Sequence, residues 1–350
     1  MRLLKLIGWL FLGVVGLIVA TLITRASDQL QVRRIGFVLG DDGSERKTLV
    51  IPSLENYPMA IIVFLLGILS WPAYAETVKI RWNTSAYSQP WDTGNSGYID
   101  GWTKNFINGT VEERGRIALD GFLDAAIVKP QNTKDPIPFV VLLHGCSGMN
   151  DLLEKWAHGT AARLTQVGYG VLILDSFKTR GVSDICGDPS QLGWARRRAD
   201  DAYSALDYLI DKGLAIPNKV YVIGRSNGAT TTLIIMNQVL GDLHQHKFAG
   251  GFPMQPSCLY MKNVEFYAPV RQFLAEKDQA CNPTLCTAMA ATPRKVPVQT
   301  TIFKGAHHGY EDKVASQLFH GYRLAYNAEA AEGTIKGIVA ALKNGERDKK

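Results

Sequence analysis

The spacing of apolar and polar positions divides the chain into a front that reads as membrane or targeting sequence and a body of alternating strands and helices. Two uncharged apolar runs occupy residues 6–24 and 56–75, with a polar stretch rich in Asp, Gly, Ser and Arg between them. From residue 76 onward the periodicity changes. Residues 77–83 and 116–127 carry β-branched side chains in partial alternation, which predicts strands. Residues 138–144 form a continuous apolar run between Pro and Gly, the pattern of a strand buried on both faces. Helical spacing follows over 151–166, with Asp151 as its expected N-cap. The pattern then predicts a strand over 170–175, a helix over 191–212, a strand over 219–223 and a helix over 227–240. Residues 248–253, 270–275 and 298–303 predict three more short strands. An Ala-rich stretch over 311–342, interrupted at Gly321 and Gly333, reads as mostly helical. Strands separated by such helices need crossover connections, so the predicted fold class is α/β, a mostly parallel central sheet with helices on both faces. No linker divides residues 76–350, which predicts one domain.

The front admits three readings. Residues 6–24 approach the ~20 residues that cross a bilayer as a helix. The second run ends Ala73-Tyr74-Ala75 before Glu76, the small-x-small pattern of a signal peptidase site. Met59 would then initiate a signal peptide over 59–75, leaving residues 1–58 outside the mature protein, although no positive n-region follows Met59. Alternatively both runs are membrane helices. Arg25, Arg33, Arg34, Arg46 and Lys47 lie between them and only Arg2 and Lys5 precede them, which puts the linker in the cytoplasm and residue 76 outside. As a third reading, the second run is a buried core helix, which Ser70-Trp71-Pro72 would break. The first two agree that residues 76–350 lie beyond the inner membrane, periplasmic or secreted, anchored in that membrane if the segments are uncleaved. The expected organisation is therefore a membrane or signal region over 1–75 and a single α/β domain over 76–350.

Composition narrows the classes. Apolar residues make up 46% and charged residues 20%, ordinary for a globular protein and unlike a disordered, collagenous or coiled-coil chain. The net charge of +6 is spread thinly, with no dense basic block before the last four residues, so no nucleic-acid partner is expected. Five cysteines are too few for a disulfide scaffold and lack the paired spacing of a zinc site.

Gly224-Arg225-Ser226-Asn227-Gly228 fits G-x-S-x-G. Chance yields such a match in roughly one chain in eight of this composition, so its weight comes from context. It follows one predicted strand and opens a predicted helix. A strand turning straight into a helix strains its apex residue and lifts that side chain above the sheet edge, while the flanking glycines let the two elements approach. The helix N-terminus adds oriented N–H groups and partial positive charge. Ser226 is the candidate nucleophile; a serine in a plain structural turn is the alternative.

A serine hydroxyl is a weak nucleophile at neutral pH without a base and a group to orient that base. On sheets of this kind the chain order is Ser, acid, His. Strand 270–275 runs into Glu276-Lys277-Asp278, and strand 298–303 into Lys304-Gly305-Ala306-His307-His308-Gly309. Both loops leave carboxyl ends of strands, where ligands bind in open α/β sheets. Asp278 is the expected acid, since Glu276 still belongs to the strand end. The base is His307 or His308, unless the pair merely decorates a surface loop. The oxyanion donors are expected to be the backbone N–H of Asn227 and that of Cys146, in the loop His144-Gly145-Cys146-Ser147-Gly148. Cys146 as a nucleophile would lack an elbow, and His144 is expected to brace its loop. This chemistry needs no metal and no organic cofactor.

Taken in order, these motifs resemble the α/β-hydrolase superfamily and, within it, the dienelactone-hydrolase-like family, over roughly residues 117–342. The carriers are the loop from Leu142 to Gly148, Asp175-Ser176-Phe177 with Arg180-Gly181, Arg198 with Asp201, the elbow, Lys277-Asp278 and Gly305-Ala306-His307-His308. The resemblance implies an α/β-hydrolase fold, and its Gly-Ala-x-His pattern selects His308 as the base. Dienelactone hydrolases proper carry a Cys nucleophile where this chain has Ser226, so that activity is not carried over. The expected function is a serine hydrolase acting on small-molecule carboxylic esters through Ser226, His308 and Asp278 and an acyl-enzyme. The alternatives are a peptidase of the same fold, whose added propeller or cap has no room here, and a non-catalytic membrane-tethered binding protein, which would have no reason to keep all three side chains. Asp175, Arg180, Arg198 and Asp201 are read as a structural polar network. An oxidising compartment favours cysteine pairing, with Cys258 joined to Cys281 or Cys286 so as to staple the loop carrying Asp278. Cys146 is the expected free thiol of the odd five, and Cys186 is left without an assigned partner.

Overall fold

The computed structural model describes residues 37–39, 45–47, 75–82, 121–188 and 191–347. The chain separates into two compact units, Met1–Trp71 and Pro72–Lys350. In the first, strands β1 (Phe37–Leu39) and β2 (Glu45–Lys47) pair antiparallel, with Phe37 opposite Lys47. The apolar runs at 6–24 and 56–75, with the peptidase site at their end, lie outside the described residues except for Ala75. Among the described residues no helix is long and apolar enough to cross a membrane.

The second unit follows the predicted alternation. In chain order come β3 (Ala75–Arg81), β4 (Phe122–Val128), β5 (Ile137–Leu143), α1 (Asp151–Thr165), β6 (Gly170–Asp175), α2 (Gln191–Asp211), β7 (Ala215–Arg225) and α3 (Asn227–Ile235). Then follow the single turn α4 (Gln238–Gly241), β8 (Gly251–Met254), β9 (Val270–Ala275), α5 (Pro283–Ala291), β10 (Val298–Phe303), β11 (Gln317–Phe319), β12 (Tyr322–Leu324) and α6 (Ala328–Arg347). Eight strands make one sheet in the order β10-β9-β8-β7-β5-β6-β4-β3. Only β4 runs against its neighbours, pairing antiparallel with β3 and with β6. The other pairs are parallel.

The unbroken apolar run of β5 has a packing cause. Phe139, Val141 and Leu143 face one core with residues of α2 and α3. Val140 and Leu142 face the other with Leu153, Trp156 and Leu164 of α1 and Ile338 and Leu342 of α6. From β5 the chain adds β6 on one side and then crosses to β7 on the other. That reversal opens a crevice at the carboxyl ends of β5 and β7, where open α/β sheets place their ligands.

Several boundaries differ from expectation. Asn150, not Asp151, caps α1, its side-chain oxygen accepting the N–H groups of Leu152 and Leu153 at 3.1 Å each. The helix expected over 227–240 breaks before Asn237, whose side chain caps α4. Helix α5 falls in a stretch for which the sequence pattern predicts no element. The stretch from 311 is not helical until Ala328, because β11 and β12 form a hairpin first, with Phe319 opposite Tyr322. Its two turn residues, His320 and Gly321, have φ of 45° and 84°, the positive pair that a tight hairpin turn demands.

Candidate active site

The 11-residue strand β7 delivers Ser226 to the crevice. Ser226 has φ 53° and ψ −117°, a conformation that costs a non-glycine residue about 1–3 kcal/mol. Neighbouring bonds hold it there: its N–H donates to the Met254 carbonyl at 2.9 Å, and its carbonyl accepts from Ala229 at 2.8 Å and Thr230 at 3.0 Å. A Cβ on Gly224 would collide with the Gly228 carbonyl, and one on Gly228 with the carbonyls of Leu143 and His144. Both glycines of the motif are therefore obligatory, and Ser226 itself remains partly exposed.

The two partner loops converge on it. His308 Nε2 lies 3.0 Å from Ser226 Oγ, and His308 Nδ1 lies 2.8 Å from Asp278 Oδ2. The other carboxylate oxygen of Asp278 accepts the N–H groups of Ala280 at 2.9 Å and Cys281 at 2.8 Å, so the carboxylate is fixed before it meets the imidazole. Asp278 and His308 are buried. Glu276 is exposed and accepts the Gly305 N–H at 2.7 Å instead. His307, the other candidate base, has no bond to Ser226 or Asp278.

The β5 loop lies alongside. A Cβ on Gly145 would sit 3.6 Å from the Ser226 Cβ, and Cys146 follows it. The N–H of Asn227, the first residue of α3, is a donor that the helix itself leaves unsatisfied. His144 is buried and braces the loop as expected: its Nδ1 lies 2.7 Å from the Gly145 carbonyl and its Nε2 accepts the Ser176 N–H at 3.3 Å. Burial, and then the Arg198 charge, hold its pKa well below 6.5, so the imidazole is neutral.

Cys146 is not the free thiol. It is bonded to Cys186, Cys258 is bonded to Cys286, and Cys281 is free. The expectation was that Cys146, a candidate oxyanion N–H donor, would also be the odd thiol. The backbone role leaves the sulfur available, and the Ile185 N–H bond to the Cys146 carbonyl at 2.9 Å brings the Cys186 loop beside it. The Cys258–Cys286 bond ties the loop after β8 to α5, which follows the Asp278 loop.

The polar network read from the sequence divides in two. Arg180 grips Asp201 with two bonds of 2.7 Å and also donates to the Ser176 carbonyl. Arg198 turns instead toward the elbow, donating to the Asn227 side-chain oxygen and to the His144 carbonyl, both at 2.6 Å.

Other supports escaped the sequence. Arg225, buried inside the motif, pairs with Glu311 at 2.8 Å and with Asp312. Burial works against its charge, but the two carboxylates outweigh that and raise its pKa. Gln255, with φ 56°, donates to Glu311 at 2.7 Å and accepts the Gly309 N–H at 2.5 Å. These bonds clamp the loop just after His308 to the ends of β7 and β8. Tyr322 packs edge-on to the His308 ring, centroids 5.3 Å apart. The only sequence signal was an acidic pair just past the histidines, facing no evident partner.

Among the described residues, two groupings resemble metal ligand sets. In Asp184, Cys186 and His320 the sulfur is already in a disulfide; in Asp278, Cys281 and His308 the carboxylate and imidazole are bonded to each other. Neither is a free ligand set.

Several solved structures share the architecture. The dienelactone hydrolase-like promiscuous phosphotriesterase P91 from metagenomic libraries superposes with a TM-score of 0.51 at 17% identity, over 77% of this chain and 98% of that one. A Bacteroides ovatus protein assigned as a dipeptidyl aminopeptidase IV gives 0.52 at 13% identity, over 79% of this chain and 36% of that one. At these identities the likeness is one of fold. No curated protein matches the sequence. The profile of the dienelactone hydrolase family matches residues 123–344, which contain the elbow, both partner loops and the β5 loop. The chain belongs to the dienelactone hydrolase family and is a hydrolase of the α/β-hydrolase fold.

Proposed function

We propose that the protein is a serine hydrolase of carboxylic esters in which Ser226, His308 and Asp278 form the catalytic triad. The observation that carries this reading is the unbroken chain of hydrogen bonds from Ser226 Oγ through the imidazole to Asp278, 3.0 and 2.8 Å long. His308 Nε2 takes the hydroxyl proton as Ser226 Oγ bonds to the acyl carbon. Asp278 holds the ring with its Nδ1–H turned inward and stabilises the imidazolium. The Asn227 and Cys146 N–H groups receive the oxyanion, each worth about 3–4 kcal/mol in the transition state. His308 then protonates the leaving alcohol, water attacks the acyl-enzyme by the same route, and the carboxylic acid departs.

A fluorophosphonate probe tests this. Labelling of folded protein that disappears in Ser226→Ala supports it, and absent or unchanged labelling overturns it. We also propose, from the N-terminal apolar segments, that the catalytic domain lies beyond the inner membrane, periplasmic or secreted. Two disulfides, bonds that oxidising compartments sustain, support that placement. Activity released by osmotic shock or held on the outer face of the inner membrane is the expected result; activity confined to the cytosol refutes it.

A further inference from the structure

Arg198 lies on α2, far along the chain from the triad and fully buried. Both of its strong bonds leave its own helix. Nη1 donates to the Asn227 side-chain oxygen and Nη2 to the His144 carbonyl, at 2.6 Å each. Asn227 supplies one proposed oxyanion donor, and His144 stands two residues before Cys146, which supplies the other. One rigid planar fork thus spans the two chain segments whose N–H groups must converge on a single oxygen. A guanidinium suits that task because its donors are fixed relative to one another. Burial pushes its pKa down to about 9, with Asp201 and Asp175 working against that fall, and the Phe177 ring lies 5.0 Å from it. A second tie runs from the same helix: the Asn227 amide donates to the Gln191 carbonyl at 3.0 Å. An arginine that merely filled the core would satisfy neighbours on its own helix; this one bridges β5 to α3.

We propose that Arg198 is a positioning residue of the oxyanion hole, setting the spacing of the Cys146 and Asn227 N–H donors without touching substrate. The inference rests on the serine-hydrolase reading, which fluorophosphonate labelling of the wild-type protein tests separately. Arg198→Met and Arg198→Lys are compared with wild type in full-length protein, using an aryl ester, a trifluoromethyl ketone of matching acyl chain and the product carboxylate. The ketone adduct with Ser226 carries an oxyanion in the hole, whereas the product carboxylate reports ordinary binding. The expected result for Arg198→Met is a roughly 100-fold fall in kcat, the scale of losing one oxyanion donor. KM and product affinity should barely change, and ketone affinity should fall in step with kcat/KM. Arg198→Lys should recover part of the loss, since an ammonium reaches one acceptor. If Arg198→Met does not fold, Arg198→Lys and Asn227→Ala carry the test, because Asn227→Ala removes one acceptor and keeps the N–H. Their double variant should then lose less than the product of the single losses. Folded variants with kcat within about threefold of wild type, a kcat loss not mirrored in ketone affinity, or strictly multiplicative losses in the double variant overturn the proposal.

Discussion

The two disulfides allow a comparison in which stability and catalysis separate. Cys146–Cys186 closes a loop of 40 residues and Cys258–Cys286 one of 28. Loop-closure entropy grows only with the logarithm of length, so each bond stabilises the fold by about 4 kcal/mol, with a difference of only a few tenths between them. For a domain of this size that corresponds to a fall in melting temperature of roughly 8–15 °C for either bond. Their places in the molecule differ. Cys146 carries a proposed oxyanion N–H, and its sulfur packs with Phe177, Ile185 and Trp194. Cys258–Cys286 lies in the main core with Met261 and Met289. The Cys146→Ala/Cys186→Ala and Cys258→Ala/Cys286→Ala variants should therefore melt at similar temperatures and differ in turnover. Measured well below both transitions, kcat should fall at least tenfold in the first, because a 1 Å drift of the donor is costly, and stay within about twofold in the second. Equal kcat losses in the two variants, or wild-type kcat in a folded Cys146→Ala/Cys186→Ala protein, would refute the assignment of Cys146 to the oxyanion hole.

Other outcomes follow from the same geometry. Ser226→Ala and Asp278→Asn should each lower kcat by roughly 10⁴-fold or more, and their combination should cost little beyond Ser226→Ala alone, since the triad acts as a unit; additive losses in an ester assay would argue against it. Arg225→Met leaves the Glu311 and Asp312 carboxylates buried without their cation, a loss of about 3–5 kcal/mol, so the melting temperature should drop sharply while Lys79→Met, which breaks only an exposed pair with Asp124, leaves it unmoved. Because the folded pKa of His144 is held below its unfolded value, the unfolded chain takes up a proton first: stability should be full above pH ~6.5 and fall as the pH drops below it. Burial also depresses His244, to about 4, adding to that fall; melting curves that are flat from pH 7 to about 5 would contradict both.

The sequence revealed those features that depend on local chemistry. Strands β6, β9 and β10 fall on their predicted residues; for β6 and β9 the cause is a short, largely apolar run buried on both faces, whereas β10 is an edge strand with Gln299, Thr301 and Ile302 exposed. Ser226, Asp278 and His308 were legible because each follows a strand end, and strand ends share one rim. What stayed hidden depends on partners distant in the chain. The β11–β12 hairpin was masked by Ala-rich sequence on its far side, and its turn rests on His320 accepting a positive φ that no motif announces. Arg198 was visible as part of a polar network, yet nothing local says that it leaves Asp201 to Arg180 and reaches for the elbow. The pairing of Cys146 failed for a similar reason: a backbone N–H and a sulfur on one residue serve different neighbours, and sequence reasoning assigned the residue to only one of them.

The positions that were hardest to read share a physical cause. A parallel sheet fixes where its strands end, but it does not fix the loops beyond those ends to the fraction of an ångström that proton transfer and oxyanion binding require. Ser226 adds to the difficulty, because its strained backbone persists only if its surroundings over-determine it. Two buried arginines supply that constraint from opposite sides. Arg225 reaches from the elbow to Glu311 and Asp312, just past His308, and so ties the Ser226 turn to the His308 loop. Arg198 reaches from α2 to Asn227 and the His144 carbonyl, and so ties the Ser226 turn to the loop after β5. Each guanidinium joins segments that the hydrogen-bonded ladder of the sheet leaves independent. It follows that sensitivity to mutation in this enzyme should extend along these two forks, to residues that never meet substrate, and should fade in side chains that are equally buried but make no polar tie between segments, such as Leu206 of α2.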